Sequence, residues 1–312
     1  MLFKQLGNTG LQVSAVGLGC NNFGMRCDIA QTKEVVAAAL DHGITFFDTA
    51  DVYGNRGLSE SYLGESLGSR RQDIVLATKF GMPMGDDTLS AGGSRRYVYK
   101  AVEASLKRLK TDYIDLYQLH FPDPRTPILE TLSALDELVK AGKVRYIGCS
   151  NMTGWQLADA QWTAKAHGLN QFATAQNHYS LVDRRIEDDL LQAAAHFNVG
   201  VLPYFPLASG LLTGKYRRGE EPQADTRLAN AGPRGAAALS DRNFDLLDRL
   251  SEFADERDKT LLDLAISYLA SNPNVSSVIA GATKPHQIAA NVNAGQWQLT
   301  EAERQEVASI KR

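Results

Sequence analysis

The sequence is poor in the features that most often give a protein away. Its 312 residues contain three cysteines, Cys20, Cys27 and Cys149, an odd set with no CxxC spacing. That suits a reducing compartment better than a disulfide framework or a zinc site. The six histidines show no paired His/carboxylate spacing of a metal motif. No apolar run reaches membrane-spanning length, and the first residues read as a hairpin rather than a signal peptide. Lys and Arg total 33 against 36 Asp and Glu, a net charge of -3 spread along the chain. The lack of a basic stripe argues against nucleic acid as the main partner. There is no GxGxxG between a strand and a helix, since Gly17, Gly19 and Gly24 have the wrong spacing. No linker-like shift in composition divides the chain, so residues 1–312 are read as one domain of a cytoplasmic protein with no membrane partner.

What is present is alternation. Short apolar runs near 15–18, 45–47, 74–78, 114–119, 144–149, 172–175, 199–203 and 277–280 read as buried parallel strands. Amphipathic stretches at 31–42, 59–67, 97–110, 128–141 and 155–167 read as the helices between them. Eight such units match an α/β fold of the (β/α)8 TIM-barrel type, which takes roughly 250 residues before insertions. Segments 3–6 and 11–14 flank Gly7-Asn8-Thr9-Gly10 and read as a hairpin capping the barrel. Two further helices are expected at 242–257 and 300–311, the second opened by a Thr300/Glu303 capping box. Segments 81–94 and 214–240 read as long loops on the C-terminal face, where lids and clamps are found.

Four polar residues fall where an apolar strand ends: Asp48 and Tyr53 in FFDTADVYG, Lys79 in LATKFG and His120 in LYQLHFPD. In a (β/α)8 barrel these positions share the face that carries catalysis. Each has an ordinary alternative: Asp48 as a loop cap, Lys79 as a solvated cation, Tyr53 as a loop aromatic, His120 as a satisfied core histidine. Together they form a phenol, an ammonium, a carboxylate and an imidazole able to protonate a carbonyl oxygen while hydride attacks its carbon. A free phenol has a pKa near 10, so Lys79 is expected to lower that of Tyr53, the proton donor. Asp48 would keep the ammonium paired, and His120 would orient the carbonyl.

Over nearly its whole length the sequence resembles the aldo-keto reductases, in the branch of bacterial, fungal and plant reductases that also includes potassium-channel β subunits. The resemblance lies in GITFFDTADVYG, TDYIDLYQLHFPD, GKVRYIGCSN, YFPLASGLLTGKY and IAGATKPHQIAANV, in that order. It implies that Asp48, Tyr53, Lys79 and His120 are the catalytic tetrad and that a nicotinamide nucleotide binds beside them. By resemblance, Ser150, Asn151 and Gln176 would hydrogen-bond the carboxamide and Tyr204 would stack on the ring; as ordinary residues the first two would be helix caps and Gln176 a buried amide. The backbone of Ser209, Gly210 and Leu211 would face the pyrophosphate, with Lys215 supplying charge. Gly281, Ala282 and Thr283 lead into a helix starting near Pro285, whose N-terminus is a natural phosphate site. On that helix Gln287 and Asn291 match positions that contact adenosine.

In the resemblance, a lysine, a serine and an arginine surround the 2′-phosphate of NADPH, and here those slots read Gly281, Ala282 and Gln287. Lys284 and Arg227 could replace that charge, or be surface cations. NADPH (NADP+) is the expected cofactor, with NADH open, and Ala290 stands where a glutamate often faces adenine. Phe23, Met25, Phe80, Met82 and Phe121 are candidate walls for an aldehyde or ketone with an apolar body. The other function carried by the resemblance is a nucleotide-binding, redox-sensing regulatory subunit like the channel β subunits. Phe3 already lies in the hairpin, so no N-terminal extension is expected to act on a channel. A metal-dependent barrel isomerase or hydrolase finds no support in the motifs.

Overall fold

The structure, a computed structural model, describes residues 1–224 and 226–311. A short antiparallel hairpin, β1 (Phe3–Gln5) and β2 (Gln12–Ser14), precedes the sheet that organises everything else. That sheet contains β3 (Val16–Gly19), β4 (Phe46–Asp48), β5 (Val75–Phe80), β6 (Ile114–Leu119), β7 (Val144–Ser150), β8 (Thr174–His178), β9 (Gly200–Tyr204) and β10 (Val278–Gly281). All neighbours are parallel, in the order β10-β3-β4-β5-β6-β7-β8-β9. The segment before β10 closes the ring against β9: the Val201 N–H donates to the Asn274 carbonyl at 2.7 Å, and the Ser276 N–H donates to the Val201 carbonyl at 2.9 Å. The result is the (β/α)8 barrel.

The helices are α1 (Ile29–Asp41), α2 (Tyr53–Leu67), α3 (Arg95–Leu109), α4 (Ile128–Lys140), α5 (Gly154–Ala166), α6 (Leu190–Phe197), α7 (Pro233–Ala238), α8 (Asp241–Asp255), α9 (Leu261–Ala270), α10 (Pro285–Ala294) and α11 (Glu301–Ser309). Their starts obey local chemistry: Asp28 and Gln31 cap α1 reciprocally, and Thr300 with Glu303 does the same for α11. Among the described residues, no helix is long and apolar enough to cross a membrane. Helix α9 was not legible as a separate element, because LLDLAISYLA is buried on almost every side and shows no polar stripe. The stretch expected as a loop over 214–240 contains α7, whereas 81–94 has no regular element.

Two apolar layers follow from the alternation of side chains along each strand. Inward residues Phe46, Val75, Ala77, Leu116, Leu202 and Ile279 form one cluster. Outward residues such as Phe47, Leu76, Phe80 and Tyr117 pack beneath the helices. Leu6 and Val13 of the hairpin join the inward cluster and are fully buried, so the hairpin plugs the barrel floor. The plug depends on Gly7, whose φ is +57° and whose missing Cβ would lie 2.1 Å from the Ala173 carbonyl oxygen. Gly7→Ala combines a left-handed backbone with a backbone clash and should cost about 2–3 kcal/mol in urea unfolding; an unchanged midpoint would show that the hairpin does not bear on the barrel.

Candidate active site

The same inward parity continues upward from the apolar cluster. Two residues beyond Phe46 stands Asp48, beyond Ala77 Lys79, and beyond Leu116 first Gln118 and then His120. Ser150 and Tyr204 end β7 and β9 in the same way, and Gln176 lies two residues before the end of β8. Once apolar filling stops, the barrel mouth is therefore lined by polar side chains from six strands.

Lys79 is the centre of this layer. It is completely buried, and its ammonium donates to Asp48 Oδ2 at 2.6 Å and to the Thr49 carbonyl at 2.8 Å, with the Tyr53 hydroxyl at 3.5 Å. Asp48 Oδ1 accepts from Gln176 Nε2 at 2.8 Å and Gln118 Nε2 at 3.1 Å. The carboxylate thus meets one cation and two amides, the compensation that buried charge needs. Tyr53 is held from behind: Gly54, with φ +65°, leaves no room for a Cβ, which would lie 2.5 Å from the Phe23 carbonyl oxygen. The phenol ring meets His120 edge-on at 5.7 Å between centroids.

The charges decide which groups carry protons. Burial works against the Lys79 ammonium, but Asp48 and Tyr53 outweigh it and raise its pKa above the ordinary value. Burial also raises the Tyr53 phenol; Lys79 opposes this and Asp48 reinforces it. The expected net lowering of Tyr53 is thus reversed, because desolvation exceeds the nearby positive charge. His120 is pushed down to about 3, by burial first and by Lys79 second, so its imidazole is neutral.

A cavity of about 870 Å³ opens above these groups. Asp48, Tyr53 and His120 reach it, while Lys79 lies behind them. Ser150, Asn151, Gln176, Tyr204, Ser209, Gly210, Lys215, Arg227, Gly281, Ala282, Thr283, Lys284, Gln287 and Asn291 also line it. At the β7 and β8 ends the polar valences are largely committed. Asn151, at φ +58°, donates to the His120 carbonyl at 2.9 Å and to Ser150 Oγ at 3.0 Å, and accepts from the Tyr204 hydroxyl at 2.8 Å. Ser150 Oγ donates to the Gln176 carbonyl at 2.8 Å. Gln176 has its amide nitrogen fixed by Asp48, which leaves its Oε1 as the acceptor toward the cavity. Near α10, Gln287 Oε1 accepts from the Thr283 N–H at 2.8 Å.

Several expectations need correction. Phe80 is fully buried and stacks on Tyr117 at 4.6 Å, because it follows inward Lys79 and so points outward beneath the helices. Phe23 is also fully buried, and its part is to back the Tyr53 turn. Met25 is 73% exposed and outside the cavity lining, in a turn that carries it away from the barrel. Met82 and Phe121 do line the cavity. Leu211 packs its side chain into the core, and the Gly210 N–H donates to the Leu207 carbonyl at 2.8 Å, so that N–H is engaged within its own turn.

Sequence reasoning passed over Asn21, Asn22, Arg26, Phe205 and Thr226, all of which line the cavity. Their position just after a strand end, or near Arg227 in the long loop, was the available signal. Arg26, Lys215, Arg227 and Lys284 line the cavity and form no ion pair among the described residues. Among the described lining residues Asp48 is the only carboxylate, and it is already matched by Lys79. The cavity therefore carries surplus positive charge and suits a polyanion.

The His120 shift is directly observable. Its imidazole resonances should not titrate between pH 5 and 8, and a midpoint near 6.5 would contradict the neutral assignment. The unfolded chain takes up this proton from about pH 6.5 downward and the folded chain only near 3, so this residue's contribution to stability is present above that window and lost as pH falls through it.

Comparison with known proteins gives a concordant result. The sequence model described as "Aldo/keto reductase family" matches residues 15–312. The protein named "Probable voltage-gated potassium channel subunit beta" of Arabidopsis thaliana is 39% identical over 303 residues, covering 94% of this chain and 91% of that one. The aldo-keto reductase YhdN of Bacillus subtilis (strain 168) is 33% identical over 317 residues, covering 99% and 93%. The L-glyceraldehyde 3-phosphate reductase of Escherichia coli (strain K12) is 33% identical over 305 residues, covering 94% and 87%. With a barrel of this kind, a family match over nearly its whole length and relatives aligned end to end, the chain belongs to the aldo/keto reductase family of oxidoreductases.

Proposed function

We propose that the protein reduces an aldehyde or ketone to the alcohol with NADPH, Tyr53 donating the proton to the carbonyl oxygen. The observation that carries this reading is the buried ammonium of Lys79. It has three hydrogens, and three oxygens face it: Asp48 Oδ2, the Thr49 carbonyl and the Tyr53 hydroxyl. The third contact is long at 3.5 Å, yet it makes the phenol oxygen an acceptor from Lys79 and leaves the phenol hydrogen for the cavity.

When bound, the dihydronicotinamide supplies the hydride, which none of these side chains can donate. The raised pKa of Tyr53 keeps the phenol protonated at neutral pH, so the donor is loaded before reaction. As the carbonyl oxygen gains charge, Tyr53 transfers its proton, and the phenolate that forms lies beside Lys79. Neutral His120 donates a ring N–H to the carbonyl oxygen without competing as an acid.

The nucleotide fits the residues present. Gln176 Oε1 and Ser150 would hold the carboxamide and Tyr204 would face the ring, with Asn151 bracing both. Ser209, Lys215 and the Gly281–Thr283 segment would take the pyrophosphate. Arg227 and Lys284 would take the 2′-phosphate, and Gln287 and Asn291 the adenosine. Met82 and Phe121 would contact an apolar substrate body.

A nucleotide-binding regulatory role is the second reading, favoured by the likeness to the Arabidopsis thaliana protein named as a channel subunit. Sustained turnover on a panel of carbonyl compounds separates the two. Tyr53→Phe should lower kcat/KM for carbonyl reduction by about 10²–10⁴-fold while leaving the Kd for NADPH nearly unchanged; near-normal turnover would remove Tyr53 as donor. Lys284→Ala or Arg227→Ala should each raise the Kd for NADPH by roughly tenfold or more, the loss of a charged hydrogen bond, with a smaller effect on NADH. Equal losses for the two cofactors would remove the 2′-phosphate assignment.

A further inference from the structure

Behind the Tyr53 turn lies a second buried polar cluster that the reduction chemistry does not use. Asp51, Glu60, Thr78, Tyr97 and Tyr117 are all buried there, and Arg108 reaches in from α3. Glu60 is fully enclosed: Oε2 accepts from Arg108 Nε at 2.6 Å, and Oε1 accepts from Thr78 Oγ1 at 2.6 Å. The one guanidinium is thus committed to one carboxylate. Asp51 is the other carboxyl, and its Oδ1 has no hydrogen-bond partner among the described residues. Two carboxyls with a single cation in a dry interior retain one proton between them. Asp51 is the group that keeps it. Burial first and the Glu60 charge second push its pKa up to about 8, against the opposing pull of Arg108, the Val52 N–H and Tyr97.

The position of this carboxyl gives the proton a use. Asp51 Oδ2 and the Met82 carbonyl both lie 3.5 Å from the Tyr97 hydroxyl. Met82 is a wall of the substrate cavity and stands at the start of the loop over 81–94. Asp51 itself lies between Asp48 and Tyr53, with its N–H donating to the Lys79 carbonyl at 3.0 Å. A hydroxyl has one hydrogen. If Asp51 is neutral, its O–H can point to the Tyr97 oxygen, and the Tyr97 hydrogen is free for the Met82 carbonyl. If Asp51 is ionised, it accepts only. The Tyr97 hydrogen is then drawn to the carboxylate, and the Met82 carbonyl loses its donor.

We propose that Asp51 is a positioning residue for the substrate wall: the proton on its carboxyl sets, through Tyr97, whether the loop over 81–94 is tied to the floor of the site at Met82. The groups facing this carboxyl are Glu60 from α2, Tyr97 and Arg108 from α3, the Lys79 carbonyl from β5 and the Tyr117 phenol from β6. The Tyr117 hydroxyl also lacks a hydrogen-bond partner among the described residues. The proposal rests on the reductase reading only for naming the wall a substrate wall; the tie itself does not.

The test is hydrogen exchange of the parent, Asp51→Asn and Tyr97→Phe proteins at pH 6.5 and pH 9, read by mass spectrometry over peptides covering 81–94. Rates are corrected for the intrinsic effect of pH. Asparagine keeps a donor at every pH. Parent and Asp51→Asn should therefore exchange alike at pH 6.5, and the parent should exchange several-fold faster than Asp51→Asn at pH 9. Tyr97→Phe should be fast at both. With benzaldehyde as probe, the KM of the parent should rise several-fold over the same interval while that of Asp51→Asn stays flat. Equal exchange of parent and Asp51→Asn at pH 9, or a Tyr97→Phe protein as protected as the parent at pH 6.5, would overturn the proposal. Loss of all carbonyl turnover with the exchange pattern intact would instead remove the reductase reading and leave the tie standing.

Discussion

The buried ion pair between Lys79 and Asp48 is the constraint around which the barrel mouth is arranged. The ammonium is fully enclosed and the carboxylate nearly so, and removing one partner of such a pair costs about 3–5 kcal/mol because the other is left uncompensated. The rest of the polar layer satisfies what the pair leaves open. The Thr49 carbonyl takes a second ammonium hydrogen, and Gln118 and Gln176 fill the far oxygen of the carboxylate. From Gln176 the network runs through Ser150 and Asn151 to Tyr204 and to the carbonyl of His120. Six strand ends are thereby held in register by hydrogen bonds that all refer back to one carboxylate. Fixed in this way, the site gains orientation without having to reorganise when charge develops on a substrate oxygen.

Much of this was legible in the sequence, and the misses have physical causes. The strands were recognisable because buried parallel strands are apolar runs, and the four polar residues stood out because each interrupts the end of one. The same rule blurred the ends themselves. The strand expected over 172–175 stops at the first polar residue, whereas β8 runs Thr174–His178, because Gln176 and His178 are polar where the strand serves the site. Phe80 and Phe23 were placed at the cavity by proximity in sequence. Parity along β5 sends Phe80 to the opposite face from Lys79, and Phe23 is sealed beneath the Tyr53 turn. Asp51 carried no signal at all, because a buried carboxyl and a loop aspartate look identical until Glu60 and Arg108 are folded against it from distant positions.

The direction of the Tyr53 shift changes how the chemistry is understood. Positive charge beside a phenol suggests a lowered pKa, but in the enclosed site desolvation dominates and the phenol stays protonated. In the proposed reduction, Lys79 would act less by preparing an acid than by receiving the phenolate that proton transfer from Tyr53 would leave behind. Around this centre the described residues of the cavity wall supply cations without further carboxylates, the arrangement a nucleotide with several phosphates calls for.

The most direct test is transfer of label in a single turnover. The protein, loaded with NADPH carrying deuterium at the transferable position, is mixed with benzaldehyde and the alcohol analysed by mass spectrometry. The account predicts benzyl alcohol with one deuterium on carbon, formed by the parent and nearly absent with Lys79→Met. Bound NADPH that yields no labelled alcohol, or labelled alcohol formed equally well without the Lys79 ammonium, would contradict it.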